Sequence, residues 1–265
     1  MAGTRRTREV VLAADLDPAP ILDDIIDLAD ELKVPIRELS RSKFESMART
    51  DGSQGVIAGA APLRPVELAD LLAPESPVPA FGAAKPGGPE HRAPRSAIQL
   101  SDGPAPAVPA SAGTAPFLLL LDSVTDPRNL GAVLRTAECA GVSGVILPRH
   151  RAARITPAVT KAAAGAVEHL RMAVVGGLPA AMKTLSAAGI WIVGLDSAGD
   201  SSLFDLTMAS EPLALALGAE GAGLSRLVRE RCDVVASIPL RGVLASLNVS
   251  SAAAVACFEI ARHRA

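Results

Sequence analysis

The 265-residue sequence contains no tyrosine, and aromatic residues make up 2% of it, with a single tryptophan. Many single-strand nucleic-acid binders stack bases on aromatic platforms, and this chain is poorly supplied for that. It also lacks an excess of positive charge. Lys and Arg number 26 against 28 Asp and Glu, a formal net charge of −2. That argues against a strongly basic, non-specific nucleic-acid binder, although a net value leaves room for a local basic patch. No apolar run is long enough to cross a membrane. Arg5, Arg6 and Arg8 near the N-terminus are not followed by the apolar segment of a signal peptide. The cysteines, Cys139, Cys232 and Cys257, are far apart and odd in number. Such spacing gives neither a disulfide framework nor zinc-ligand pairs, so the expectation is three core thiols in a reducing cytoplasm and no metal.

What is present is a hydrophobic content of 49%, ample for a core, in a length that allows one or two domains. Residues 1–72 read as a small α/β unit. Apolar, β-branched runs suggest strands at 9–14, 34–38 and 55–60. Helical spacing suggests helices at 21–32 and 41–49 and a helical turn at 66–72. Residues 73–116 are rich in Pro, Ala, Gly and Ser, have no periodicity and read as a flexible or partly polyproline-II linker. Its length, well beyond an ordinary connection, marks a domain boundary. From residue 117 to 265, strands alternate with helices. Strands are expected at 117–122, 142–147, 170–175, 190–195, from 213 and at 234–239. Helices are expected from the Asp126-Pro127 turn to Gly141, at 157–167, 178–188 and 225–232, and at the C-terminus. This alternation predicts an α/β fold, a mostly parallel sheet with helices on both faces.

Three loops stand out in that second part. In LALALGAEGAGLSR an apolar strand runs into Gly218, Gly221 and Gly223. The spacing is neither the dinucleotide fingerprint nor a P-loop; it allows backbone to approach a ligand or simply makes a strand-to-helix turn. In FLLLLDSVTDPRNLGAVLRTAECAG a strand leads through a polar loop to a helix. Asn129 is placed to cap that helix, and Arg135 lies among Leu130, Ala132, Val133, Leu134 and Ala137. In SIPLRGVLASLNVSSAAAVACFEIARHR a polar loop with Gly242 precedes a helix that Asn248 or Ser246 could cap. The helix's first half is small or apolar on every side, which predicts burial in the core.

Together the motifs DPRNLGAVLRTAECAG, LALGAEGAGLSR and IPLRGVLASLNVSSAAAVACFE resemble the SpoU (TrmH) family of RNA ribose 2′-O-methyltransferases of the SPOUT superfamily. The match runs from about Phe117 to the end. The run SQGVIAGAAPL resembles the end of the N-terminal RNA-recognition domain that many members carry. That domain ordinarily has a further helix before its first strand, so the resemblance implies either a shortened version here or a misplaced start codon.

The resemblance implies a C-terminal deep trefoil knot, a homodimer formed through the knotted domain, and S-adenosyl-L-methionine as cofactor. It implies cofactor contacts around Gly218, Glu220, Gly221, Ile238, Leu240 and Leu247, and a polar catalytic set of Asn129, Arg135, Glu220, Ser246 and Asn248. Each has a plainer alternative: helix caps for Asn129 and Asn248, backbone binding for Glu220, loop satisfaction for Ser246, a tie between helices for Arg135. Arg149, Arg151 and Arg154 follow a strand's C-terminal end, where α/β ligand sites form, and with Arg241 are candidate RNA contacts or solvated loop residues. The implied activity is methyl transfer to a ribose 2′-hydroxyl, with a guanosine of large-subunit ribosomal RNA preferred and transfer RNA second. A non-catalytic RNA-binding or assembly factor is the alternative of a different class. A nucleotide-dependent Rossmann enzyme lacks its glycine fingerprint here.

Overall fold

The computed structural model describes residues 5–48, 53–72, 115–150 and 152–264. Nearly all of the expected linker, and Arg151, lie outside these residues. The N-terminal unit is built on β1 (Thr7–Ala13). It pairs in parallel with β2 (Ile36–Leu39) and antiparallel with β3 (Val56–Ala60). Successive side chains of a strand face opposite ways. Val11 and Ala13 therefore pack on Phe44 and Ala48 of α2 (Arg41–Ala48), while Val10 and Leu12 pack on Ala29 of α1 (Pro20–Glu31).

The chain leaving β3 binds the second unit. Val66 donates to the Met172 carbonyl at 2.9 Å and makes a parallel bridge with Ala173. A 3-10 turn at Leu68–Leu72 then inserts Leu71, 1% exposed, among Leu118, Leu120, Ile146 and Ala173. Arg5 pairs with Glu168, and Arg171 donates to the Asp70 carbonyl. The helical turn expected at 66–72 is thus present, but its core lies in the C-terminal half.

That half is a seven-stranded sheet in the order β6-β5-β4-β9-β7-β10-β8. Its strands are β4 (Phe117–Leu121), β5 (Gly144–Pro148), β6 (Met172–Val175), β7 (Trp191–Leu195), β8 (Ser201–Ser202), β9 (Leu213–Leu217) and β10 (Val234–Ser237). Every described pairing is parallel. The run FLLLL of β4 is apolar at all positions because both faces are covered. Leu119 and Leu121 join Val145, Leu147, Val193 and Leu215 beneath α3 (Pro127–Cys139), α4 (Pro157–Ala162) and α7 (Val249–Arg262). Leu118 and Leu120 join Ile146, Ile192, Ala214 and Ala216 beneath α5 (Leu178–Ala187) and α6 (Arg226–Arg229).

Small residues set the close helix approaches. A Cβ on Gly131 of α3 would lie 2.4 Å from the Ala162 Cβ and 2.8 Å from the Val159 carbonyl oxygen. Ala253, Ala256 and Cys257 bury one side of α7 in the cluster that α3 also fills. The opposite side stays open, with Val255 36% and Phe258 51% exposed, so the expectation of a terminal helix buried all round holds for one face only. Arg264 fastens its end. The guanidinium donates to the carbonyls of Ala115 at 2.6 Å, Ala209 at 2.8 Å and Glu211, and lies 5.1 Å from the Phe117 ring centre.

Other expectations need correction. The helix expected at 157–167 stops at Ala162, because Ala164 and Gly165 turn to positive φ, and a 3-10 turn follows at Ala166–Glu168. The helix expected at 225–232 is only Arg226–Arg229, and the strand expected at 234–239 ends at Ser237. Of the three thiols, Cys257 alone is a core residue, pushed up to a pKa of about 12 by burial; Cys232 is half-buried and Cys139 is exposed on α3. No helix among the described residues is long and apolar enough to cross a membrane.

Candidate active site

In an all-parallel sheet the carboxyl ends of the strands share one edge, and the loops leaving that edge form the site. β4 leads into the loop before α3. Asp126 caps that helix, accepting from Arg128 N at 3.3 Å and Asn129 N at 3.0 Å, with Pro127 in the first turn where a missing N–H costs nothing. Asp126 therefore takes the capping role expected of Asn129. The Asn129 side chain instead donates through Nδ2 to Glu220 Oε2 at 3.0 Å.

Asn248 closes the ring. Its Oδ1 accepts from Ser250 N at 2.9 Å and Ser250 Oγ at 2.6 Å, capping α7. Because the oxygen is engaged there, the amide nitrogen faces the site. It donates to Asn129 Oδ1 at 3.1 Å and to Glu220 Oε2 at 3.3 Å. Three side chains from three loops, 119 residues apart at the extremes, thus share one hydrogen-bonded cycle.

Beside the cycle is an open cleft at the ends of β7 and β9. Gly218, Glu220, Gly221, Ile238, Leu240, Ser246 and Leu247 line it, with Leu195, Leu217, Val249 and Ala252. All the expected cofactor positions are thus brought together, along with Ser246 from the exposed loop before α7.

The glycines divide the work. Gly221 has φ +78° and open space where a Cβ would stand. Gly218 is different: a Cβ there would lie 2.1 Å from the Gly223 carbonyl carbon. Its missing side chain serves a tight turn, closed by Ala219 N to Gly223 O at 3.0 Å and Gly223 N to Ala219 O at 2.9 Å.

Sequence reasoning missed Asp196 and Ser197, which also line the cleft. Asp196 lies 2.9 Å from Arg229 Nη1, and its Oδ1 accepts from Ala198 N at 2.9 Å. Burial pulls the Asp196 pKa up, but the Ala198 N–H and the Arg229 guanidinium outweigh it, and the carboxyl ends below the ordinary aspartate value. A signal was available: two apolar strands, FLLLL and WIVGL, each run straight into an aspartate, Asp122 and Asp196.

The arginines are not gathered in the same way. Arg135 is exposed on α3 and has no hydrogen-bond or ion-pair partner among the described residues. Six residues beyond Asn129, it is displaced by about 9 Å along the helix and about 120° around it. Arg149 and Arg154 are exposed on the loop leaving β5, which Ala153 N ties to Val124 O at 2.9 Å. Arg241 is exposed in the loop before α7. No group of three or more metal-ligating side chains occurs among the described residues.

Residues 116–258 match the model described as the SpoU rRNA Methylase family, and residues 2–66 match that described as RNA 2′-O ribose methyltransferase substrate binding. The chain belongs to the SpoU rRNA methylase family. It is 45% identical over 170 residues to the 23S rRNA (guanosine-2′-O-)-methyltransferase of Yersinia pestis, covering 64% of this chain and 68% of that protein. It is 33% identical over 240 residues to a putative TrmH family tRNA/rRNA methyltransferase of Bacillus subtilis, covering 91% of this chain and 82% of that one. The matches span about two fifths to two thirds of the first curated relatives. In fold it is similar to the SpoU methyltransferase AviRb of Streptomyces viridochromogenes, solved with AdoMet. The TM-score is 0.70 at 21% identity, over 99% of this chain and 85% of that one.

Proposed function

We propose that this chain transfers a methyl group from S-adenosylmethionine to a ribose 2′-hydroxyl of RNA, at a guanosine of large-subunit ribosomal RNA, as a cytoplasmic homodimer. The observation that carries this reading is the Asn129–Glu220–Asn248 cycle on the rim of the cleft. The cleft's donor set fits the cofactor. Ile238, Leu240, Leu247 and Val249 offer an apolar slot for an adenine, and the turn carrying Gly221 lets backbone approach polar groups. S-adenosylmethionine, when bound, supplies an electrophilic methyl on a sulfonium.

This chain's residues hold the acceptor. The cycle keeps Glu220 and both amides rigid, so that they present fixed polar groups to the ribose. Arg135 contributes a permanent positive charge, suited to a phosphate or to negative charge growing on the 2′-oxygen. A guanidinium is a poor proton acceptor, so electrostatic stabilisation is the easier role. Since Arg135 is exposed and stands about 9 Å along α3 and about 120° around it from Asn129, we assign it to the partner's site. The exposed Val255 and Phe258, and the exposed Val243 and Leu244, support a dimer that covers them. The packing of α7 under the sheet beside α3 supports the deep trefoil knot implied by the motifs. Arg149, Arg154 and Arg241 would contact phosphates, positioning RNA without reading its sequence. The substrate preference rests on the Yersinia relative, and the Bacillus relative's name keeps transfer RNA as the second reading.

The test is transfer of labelled methyl from S-adenosylmethionine to purified ribosomal and transfer RNA, with Leu247→Arg as control. The expected result is alkali-resistant 2′-O-methyl label in large-subunit RNA, and none with the variant, since a charge in an apolar slot blocks binding. Label in transfer RNA alone would replace the substrate. Binding of RNA and cofactor without label would make the chain a non-catalytic factor.

A further inference from the structure

The glycine turn is held from both flanks. β9 lies between β4 and β7 in the sheet, and each neighbour ends in an aspartate. On the β4 side, Asp122 Oδ2 accepts from Ser225 N at 2.7 Å, just beyond the turn. On the β7 side the contact is larger. Asp196 Oδ1 accepts from Ala198 N at 2.9 Å and lies 2.9 Å from Arg229 Nη1, while Arg229 Nη2 donates to the Ala198 carbonyl at 2.8 Å. Asp196 Oδ2 is lodged in the turn itself: a Cβ on Gly223 would stand 2.8 Å from it. Gly223, at φ +64°, thus leaves room for the carboxylate.

We propose that Asp196 and Arg229 are positioning residues for the cofactor: their ion pair fastens the loop after β7, the Gly218–Gly223 turn and α6 into one rigid wall of the cleft. The inference rests on the reading of that cleft as the S-adenosylmethionine site. The opposite wall, the exposed loop carrying Leu240, Ser246 and Leu247, has no comparable tie among the described residues. A ligand seated between two mobile walls would have to order both on binding, which lowers affinity; one preset wall removes part of that cost. The pair is suited to the task. Arginine's planar fork engages the Asp196 carboxylate and the Ala198 carbonyl together, which a lysine could not reproduce. The Asp196 side chain is 12% exposed and that of Arg229 35%, so the contact is partly shielded from solvent screening.

The test compares full-length wild type, Asp196→Asn and Arg229→Lys by two readouts. Amide hydrogen exchange on the ligand-free protein reads the wall directly; calorimetry with S-adenosylhomocysteine reads its consequence. Asp196→Asn keeps size and shape, and a melting curve checks that it folds. The expected result is exchange in residues 218–224 faster by about tenfold or more, with the affinity weakened by a similar factor, the loss of one charge-assisted bond. Arg229→Lys should fall between the two, as charge is kept and the fork lost. Unchanged exchange with unchanged affinity would overturn the proposal. So would weakened affinity with unchanged exchange, which would make Asp196 a direct ligand contact. A wild type that binds no S-adenosylhomocysteine while the variant still loosens residues 218–224 would leave the fastened wall standing and remove the cofactor reading instead.

Discussion

Asn248→Asp tests the polar cycle with a change of one atom. Asparagine and aspartate cap helices about equally well, so Oδ1 can keep its bonds to Ser250 and α7 keeps its start. The other end of the side chain changes from donor to acceptor. It then faces Asn129 Oδ1, now at 3.1 Å, and Glu220 Oε2, now at 3.3 Å. Two hydrogen bonds are lost, at about 0.5–1.5 kcal/mol each. Two carboxylates at this separation repel by about 1 kcal/mol in water and more in a shielded site. The helix N-terminus returns about 0.3–1 kcal/mol by favouring negative charge. The net expected loss is about 2 kcal/mol at pH 7, read by urea unfolding. The sign with pH follows from the paired carboxylates. Each raises the other's folded pKa above its unfolded value, so the variant's deficit is small below about pH 4 and widens as pH rises towards 7. Adding Glu220→Gln supplies a donor that can turn to the introduced carboxylate, and the double variant should recover most of the loss. A variant as stable as wild type at pH 7, or a deficit that Glu220→Gln leaves untouched, would refute the cycle as drawn.

Arg135→Ala should leave S-adenosylhomocysteine affinity and the melting temperature near wild type while methyl transfer falls by about two to three orders of magnitude. Partial recovery in Arg135→Lys would favour charge stabilisation; a lower melting temperature with activity falling only in proportion would show a structural role. Leu71→Ala, although outside the catalytic half, should cost about 2–5 kcal/mol in denaturant unfolding, because it empties a filled site between Leu118 and Ile146. A cost below about 1 kcal/mol would show that the 3-10 turn is not anchored to the sheet.

The class of fold was legible in the alternation of strands and helices, and the lining of the cleft in the motifs' resemblance to a family. The FLLLL and LALAL runs suit strands covered on both faces, and their alternation with helices predicted a parallel sheet whose loops share an edge. The residues Gly218, Glu220, Gly221, Ile238, Leu240 and Leu247 were legible only through the family resemblance that the three motifs carry, and they line one cleft. Tertiary structure decided how each is used. Asn129 and Asn248 both looked like helix caps, since capping depends on local chain direction. Only the approach of the three loops revealed that Asp126 caps α3 and frees Asn129, while Asn248 caps α7 and reaches the cycle as well. Gly218 and Gly221 are alike in sequence, yet one serves the Gly223 backbone and the other faces open space. For Asp196 the local cue was an aspartate directly after an apolar strand; its pairing was not legible, because its partner Arg229 lies beyond an intervening strand and a glycine turn. Leu71 sits beside a low-complexity stretch, and its burial depends on a sheet formed some fifty residues later. Periodicity reports which face of an element is apolar; which other element covers that face is set by contacts between distant parts of the chain, and these leave no periodic trace.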